Sequence, residues 1–243
     1  MSDVRSVRHW WIAWSIWAGL LAVGFGQGNG DLESVIEKVL EHSSSVDVPF
    51  REVIEAVTGK QVLQVDPDEE VDREILEAIT TAIRGAISEL NLASSPARKE
   101  SRINEVSRHF ETSLQKRLDE LSGFSCETPK TREGKTQASG YPDLRIVHLS
   151  SGRVVYLDPK LLNRGSVNSS LRTFYYTPRT TTSKVVEDAH HLLVGIEHDG
   201  NVGQWQFTGW KLVDLYDFKV RLKAEYQASN KDLYQEGLIL ESE

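Results

Sequence analysis

Between Asp31 and Asn91 apolar residues recur three and four positions apart in three runs, "DLESVIEKVLEH", "VPFREVIEAVTG" and "DREILEAITTAIRGAISEL". That spacing gathers side chains on one face of a helix and predicts a helical N-terminal region. Pro96 and the serines of "LASSPARKES" interrupt it, which predicts a linker. The helical period then returns. Ile103, Val106, Phe110, Leu114, Leu118 and Leu121 form one stripe. At about 100° per residue Glu111 lies beside that stripe and can reach the buried side, whereas Glu105 points nearly the opposite way. After Gly123 the period drops to two. "FSCETP", the stretch "YPDLRIVHLSSGRVVYLDPK" and "HLLVGIEHDGNVGQWQFTGWKLVDL" predict strands, the last a pair turning at Asp199-Gly200-Asn201. One helix followed by several strands predicts an α/β chain of the α+β kind, a mixed sheet flanked by helices. The expected divisions are 1–30, a helical region over 31–97, and a sheet-bearing domain over 98–243.

The first thirty residues are a class apart. Arg5 and Arg8 precede a run from Trp10 to Gly30 with no charged side chain, and Gly24-Phe25-Gly26 offers small residues spaced as at a cleavage site. Three readings stand: a signal peptide of a periplasmic or secreted protein, which the layout favours; an uncleaved membrane anchor, for which the run is marginal in length; and a start placed too early on a cytoplasmic protein.

Composition narrows the chemistry. With 243 residues, 39% of them apolar, the chain can bury a substantial core. Its net charge of -8 gives no overall basic field, so a polyanionic partner needs a local basic patch or a bound cation. The single cysteine, Cys126, excludes an intramolecular disulfide framework and a cysteine-rich zinc site. There is no glycine-rich phosphate loop and no fingerprint of an organic cofactor.

The candidate chemistry lies in the hairpin at 141–160. Side chains alternate along a strand, so Asp158 and Lys160 share a face with Tyr156 and Val154, and Val155 and Leu157 take the other. An even-numbered turn at Ser150-Ser151-Gly152 makes cross-strand partners add to an odd number, which sets Asp143 opposite Asp158 or Lys160, on their face. Two adjacent carboxylates repel unless a cation or proton sits between them, and oxygen donors of this kind suit Mg²⁺ or Mn²⁺. A nearby ammonium can orient or activate a water, or offset charge developing on a phosphate. The bland alternative is an exposed hairpin with a weak surface ion pair.

Pro142-Asp143, fourteen intervening residues and Asp158-Pro159-Lys160 resemble the signature of the PD-(D/E)xK nuclease superfamily, and "RHFETSLQKRL" is similar to the glutamate-bearing helix that precedes it there. The resemblance covers roughly Ile103 to Asp188. It implies a restriction-endonuclease-like fold, DNA as substrate, and a divalent metal held by Asp143 and Asp158, with Glu111 as a further ligand and Lys160 beside the attacking water. Pro159 departs from the ordinary strand residue, since it keeps its carbonyl but lacks a ladder donor. The second reading is a catalytically inactive nuclease-fold interaction protein, exported if the leader is real; a third is a phosphoesterase of small diesters. A dimer is compatible with the resemblance, and membrane association requires an uncleaved leader.

From Lys160 to Lys184 there are five cations, Lys160, Arg164, Arg172, Arg179 and Lys184, and no Asp or Glu. Hydroxyls and aromatics interleave them, as suits phosphates, sugars and bases. Arg172, in "SSLRTFYY", is the favoured phosphate clamp; a solvated loop without a role is the alternative. His190 and His191 are neighbours on a strand and point to opposite sides, so they predict no second metal site.

Overall fold

The computed structural model describes residues 47–222 apart from 138, 171–173 and 175, together with 34, 37, 41, 228–233 and 235–241. The leader expected over 1–30 and the clamp expected at Arg172 lie outside the described residues. The chain divides into two units, Asp47–Arg221 and a second formed by Met1–Val46 with Leu222–Glu243. Among the described residues the second unit includes the short helix Asn230–Leu233. The sheet, its helices and the candidate site belong to the first.

That unit runs β1 (Asp47–Pro49), α1 (Phe50–Thr58), β2 (Val62–Leu63), α2 (Glu70–Leu90), α3 (Ile103–Asp119), β3 (Phe124–Glu127), β4 (Leu144–His148), β5 (Arg153–Asn163), β6 (Ala189–His198), β7 (Phe207–Asp214) and β8 (Lys219–Arg221). β1 and β8 form a small antiparallel pair. The main sheet has the order β2-β6-β5-β4-β3, with β7 also pairing to β6. β5 and β2 run parallel to β6 and the other neighbours are antiparallel, a mixed sheet with helices against it.

The amphipathic stripes explain the packing. α2 turns Ile75, Ile79 and Ile83 inward, and α3 turns Val106, Phe110, Leu114 and Leu118 inward, onto Leu144, Ile146, Val155, Leu157, Leu192, Val194 and Ile196 of the sheet. The Phe110 ring meets Phe207 edge to face at 4.7 Å. Small residues let the two helices approach closely: a Cβ on Gly85 would come within 2.5 Å of the Arg117 guanidinium, which pairs with Glu89 at 2.8 Å. On the other side of the sheet a smaller cluster forms from Phe50 and Ile54 of α1 with Val154, Tyr156, Val185 and Ala189.

Two expectations need correction. The break expected between 97 and 98 falls inside one compact unit, because the stripe of α2 has no buried surface of its own and closes on α3 and the sheet. The turn expected at Asp199-Gly200-Asn201 is the start of a longer connection, since β6 ends at His198 and β7 begins at Phe207. Trp205 occupies that loop, donating its indole N–H to the Glu100 carbonyl at 2.7 Å and packing edge-on against His198, so the chain cannot close tightly there.

Candidate active site

The site grows from the β4–β5 hairpin. His148 pairs with Arg153 across a four-residue turn, and every partner pair sums to an odd number, ending at Leu144–Leu157. One step further sets Asp143 across from Asp158. The β4 ladder ends there, so beyond Leu157 β5 has β6 as its neighbour on one side only. Pro159 therefore sits on a locally free edge, where a missing N–H is tolerated.

Asp158 is the buried member of the group, with its side chain 3% exposed, against 18% for Asp143 and 30% for Lys160. The Lys160 ammonium lies in a close ion pair with Asp158 Oδ2 and 3.5 Å from Asp143 Oδ2, and also reaches the Pro159 carbonyl at 3.4 Å. That ammonium is the partner of the buried Asp158 Oδ2. Burial pushes the Asp158 carboxyl up to about 7; the lysine opposes this, and Asp143 reinforces it. Burial works against the Lys160 ammonium, but Asp158 and Asp143 more than compensate and its pKa is raised. Glu111, half-buried on α3, is raised by burial and then by the charge of Asp143.

A cavity of about 270 Å³ opens over these groups, lined among others by Asp143, Asp158, Lys160, Tyr176, Arg179 and Lys184. Lys184 is 2% exposed and donates to the carbonyls of Gly140 at 2.7 Å and Pro142 at 3.1 Å, clamping the turn that delivers Asp143. Burial lowers its pKa, while Asp143, Asp158 and Glu111 oppose that shift. On the other flank the Tyr141 hydroxyl meets His191 Nδ1 at 2.8 Å. His191 is fully buried and pushed down to about 3, so it is neutral at physiological pH. The hydrogen bond between the two holds Tyr141, next to Pro142-Asp143, in place.

The donor set fits a hard divalent cation. Two carboxylates converge, one of them buried, and the charge that balances them is the Lys160 ammonium. Asp143 and Asp158 would hold such an ion. Among the described residues no three His, Cys, Asp or Glu side chains draw together as one metal site, so Glu111 stands near these carboxylates electrostatically without closing a three-donor cluster.

Comparison with known proteins decides the relationship. Residues 43–237 match the model of the "Type II restriction enzyme MjaV family". The chain is also 31% identical over 220 residues to the type II restriction enzyme MjaV of Methanocaldococcus jannaschii, covering 86% of this chain and 94% of that one. The chain belongs to the MjaV family of type II restriction enzymes. It is a restriction-endonuclease-like nuclease, and the mixed sheet with flanking helices is the fold such a family member requires. In this family member the sequence-expected residues Asp143, Asp158 and Lys160 come together, with Glu111 close by. Arg179 is exposed at the cavity rim, and Arg164 is exposed just after β5. Lys184, expected to face phosphate, is instead buried against two carbonyls. Tyr141 and His191 were not anticipated as a pair. His190, the other half of the "HH" step, donates from Nδ1 to the Leu63 carbonyl at 3.1 Å and lies 3.0 Å from Asp72, on the opposite side of β6.

Proposed function

We propose that this chain is a restriction-type endonuclease that hydrolyses DNA phosphodiesters by the PD-(D/E)xK scheme, with Asp143 and Asp158 holding Mg²⁺ or Mn²⁺. The observation that carries this reading is the convergence of Asp143, Asp158 and Lys160 at one end of a cavity, with Asp158 buried and the Lys160 ammonium set against both carboxylates. When bound, the metal would polarise a phosphoryl oxygen and lower the pKa of water. Lys160, kept as an ammonium by its two carboxylates, is a donor: it orients the attacking water and offsets charge on the phosphate rather than removing a proton. Glu111, which feels the charge of Asp143, is the auxiliary carboxylate of this reading. Lys184 and the Tyr141–His191 pair fix the backbone that presents Asp143. Arg164 and Arg179, both exposed, supply cations for the DNA backbone, and Arg172 joins them in this reading from its place in the sequence.

The test is cleavage of supercoiled and linear DNA with Mg²⁺, Mn²⁺ or EDTA, beside Asp158→Ala and Lys160→Ala. The expected result is discrete fragments only with metal, lost in both variants. Cutting that survives EDTA, or that folded Asp158→Ala retains, would remove the hairpin from the chemistry.

A further inference from the structure

The stretch from Lys160 to Lys184 looked like the basic surface of an acidic chain, but folding changes its meaning. Lys160 is tied to two aspartates and Lys184 is buried. Positive charge reappears in a second groove of about 470 Å³, assembled from distant parts of the sequence. Lys60 follows α1, Lys130 and Arg132 come from the loop after β3, and Arg145 lies on β4. With Lys184 these are five cations, against Glu127 and Glu187 as the carboxylates in the lining.

The two carboxylates do not neutralise the groove evenly. Arg145 takes both, Glu187 at 2.6 Å and Glu127 at 3.1 Å. Arg132 donates to the Thr58 carbonyl at 2.6 Å and so braces the loop against α1 while keeping its charge. Lys60 and Lys130 close no ion pair among the described residues; Lys60 acts on Glu187 only at longer range, after Arg145. The excess charge of the groove therefore resides on two lysines and Arg132.

Position links the groove to the catalytic cavity. Lys184 lines both, so the two are separated by little more than one buried side chain. Arg145 lies two residues beyond Asp143 on the same face of the sheet, a rise of about 7 Å. A strand whose phosphate reached Asp143 would have its neighbouring phosphates over that face.

We infer that the groove of Lys60, Lys130 and Arg132 is a second binding surface for the substrate, taking DNA backbone phosphates on the side of the cavity away from the Arg164–Arg179 segment. This rests on the reading of DNA as substrate. Lys60 and Lys130 contribute attraction without base preference, and Arg132 holds the loop that presents Lys130.

The experiment uses the full chain with uncut duplex DNA in EDTA, where no cleavage competes, and measures affinity from low to moderate salt. For Lys60→Gln/Lys130→Gln the dependence of log K on log salt should be shallower by about 2, since each phosphate contact contributes about 0.9. Affinity at low salt should drop at least tenfold. The control is Lys99→Gln/Lys116→Gln, which removes the same charge elsewhere and should leave the slope alone. An unchanged slope in the groove variant, or an equal change in the control, overturns the groove alone. A parent protein that neither binds nor cuts duplex DNA overturns the substrate reading, and the groove with it.

Discussion

The two faces of β4, β5 and β6 are made from alternate residues of the same strands, and they differ in kind. Towards α2 and α3 stand Leu144, Ile146, Val155, Leu157, Leu192, Val194 and Ile196, each no more than 2% exposed and each apolar. The opposite face presents Asp143, Arg145, Tyr156, Asp158, Lys160 and His191. There His191 Nε2 is buried without a hydrogen bond, a state that costs about 1–3 kcal/mol, and Asp158 is buried with an ammonium as its partner. The apolar face supplies the free energy that lets its neighbour remain polar, desolvated and incompletely satisfied. Because the strand period is two, one hairpin can serve both purposes without either residue set interrupting the other.

The most direct way to break that comparison is to neutralise the polar face. Asp158→Asn should lower the single-turnover cleavage rate by about 10³-fold or more, the scale expected when a metal-holding carboxylate is removed. Its melting temperature at pH 8 should hold or rise, because the wild-type carboxyl is there ionised against its burial. A folded Asp158→Asn protein that still cuts would show that the face does not carry the chemistry. On the apolar face Ile83→Ala should cost about 2–5 kcal/mol in urea unfolding, with cleavage per folded molecule unchanged. If that rate also collapsed, the two faces would not be separable.

How much of this could be read from residue order follows the same division. The stripes of α2 and α3 and the alternation in β4 and β5 are local, and so was the odd-sum register, which depends only on the turn at Leu149–Gly152. That register sufficed to place Asp143 beside Asp158. What a stripe does not reveal is its partner, so the helical region before Pro96 looked separable although α2 closes on α3. Lys184 looked like a surface cation because the carbonyls that bury it belong to Gly140 and Pro142, more than forty residues earlier. The Tyr141–His191 contact spans fifty positions. Tyr141 adjoins the aspartate of the motif, and "HH" in a strand forces one ring to each side; these were the only local signals of that pair. The groove of Lys60, Lys130 and Arg132 has no linear signature at all, since these residues come from two segments seventy positions apart.

A smaller effect sharpens the comparison within the polar face. Lys184→Met removes the clamp on the Gly140 and Pro142 carbonyls without touching the carboxylates. Cleavage at saturating DNA should fall about 10- to 100-fold, the scale of a displaced catalytic group, while DNA affinity in EDTA stays within about threefold. Lost DNA affinity with an unchanged turnover would instead make Lys184 a phosphate contact.

The smallest expected effect is set by pH. In the metal-free protein Asp158 keeps its proton up to about pH 7, whereas in the unfolded chain it would lose it near 3.8, the ordinary value of an aspartate. Between those limits the native state binds the extra proton, so this group's contribution to stability falls as pH rises and is at its least favourable above about 7. A divalent ion reverses the preference, since it needs the ionised carboxylate and must expel that proton. Mn²⁺ affinity measured without DNA should therefore weaken about tenfold from pH 8 to pH 6, with proton uptake by the buffer on binding near pH 6. The same titration on Asp158→Asn should show weak binding with little pH dependence over that range. If the wild-type dependence instead lay near pH 4, Asp158 would be an ordinary solvated carboxylate, and the polar face would lose the desolvation that distinguishes it from an exposed ion pair.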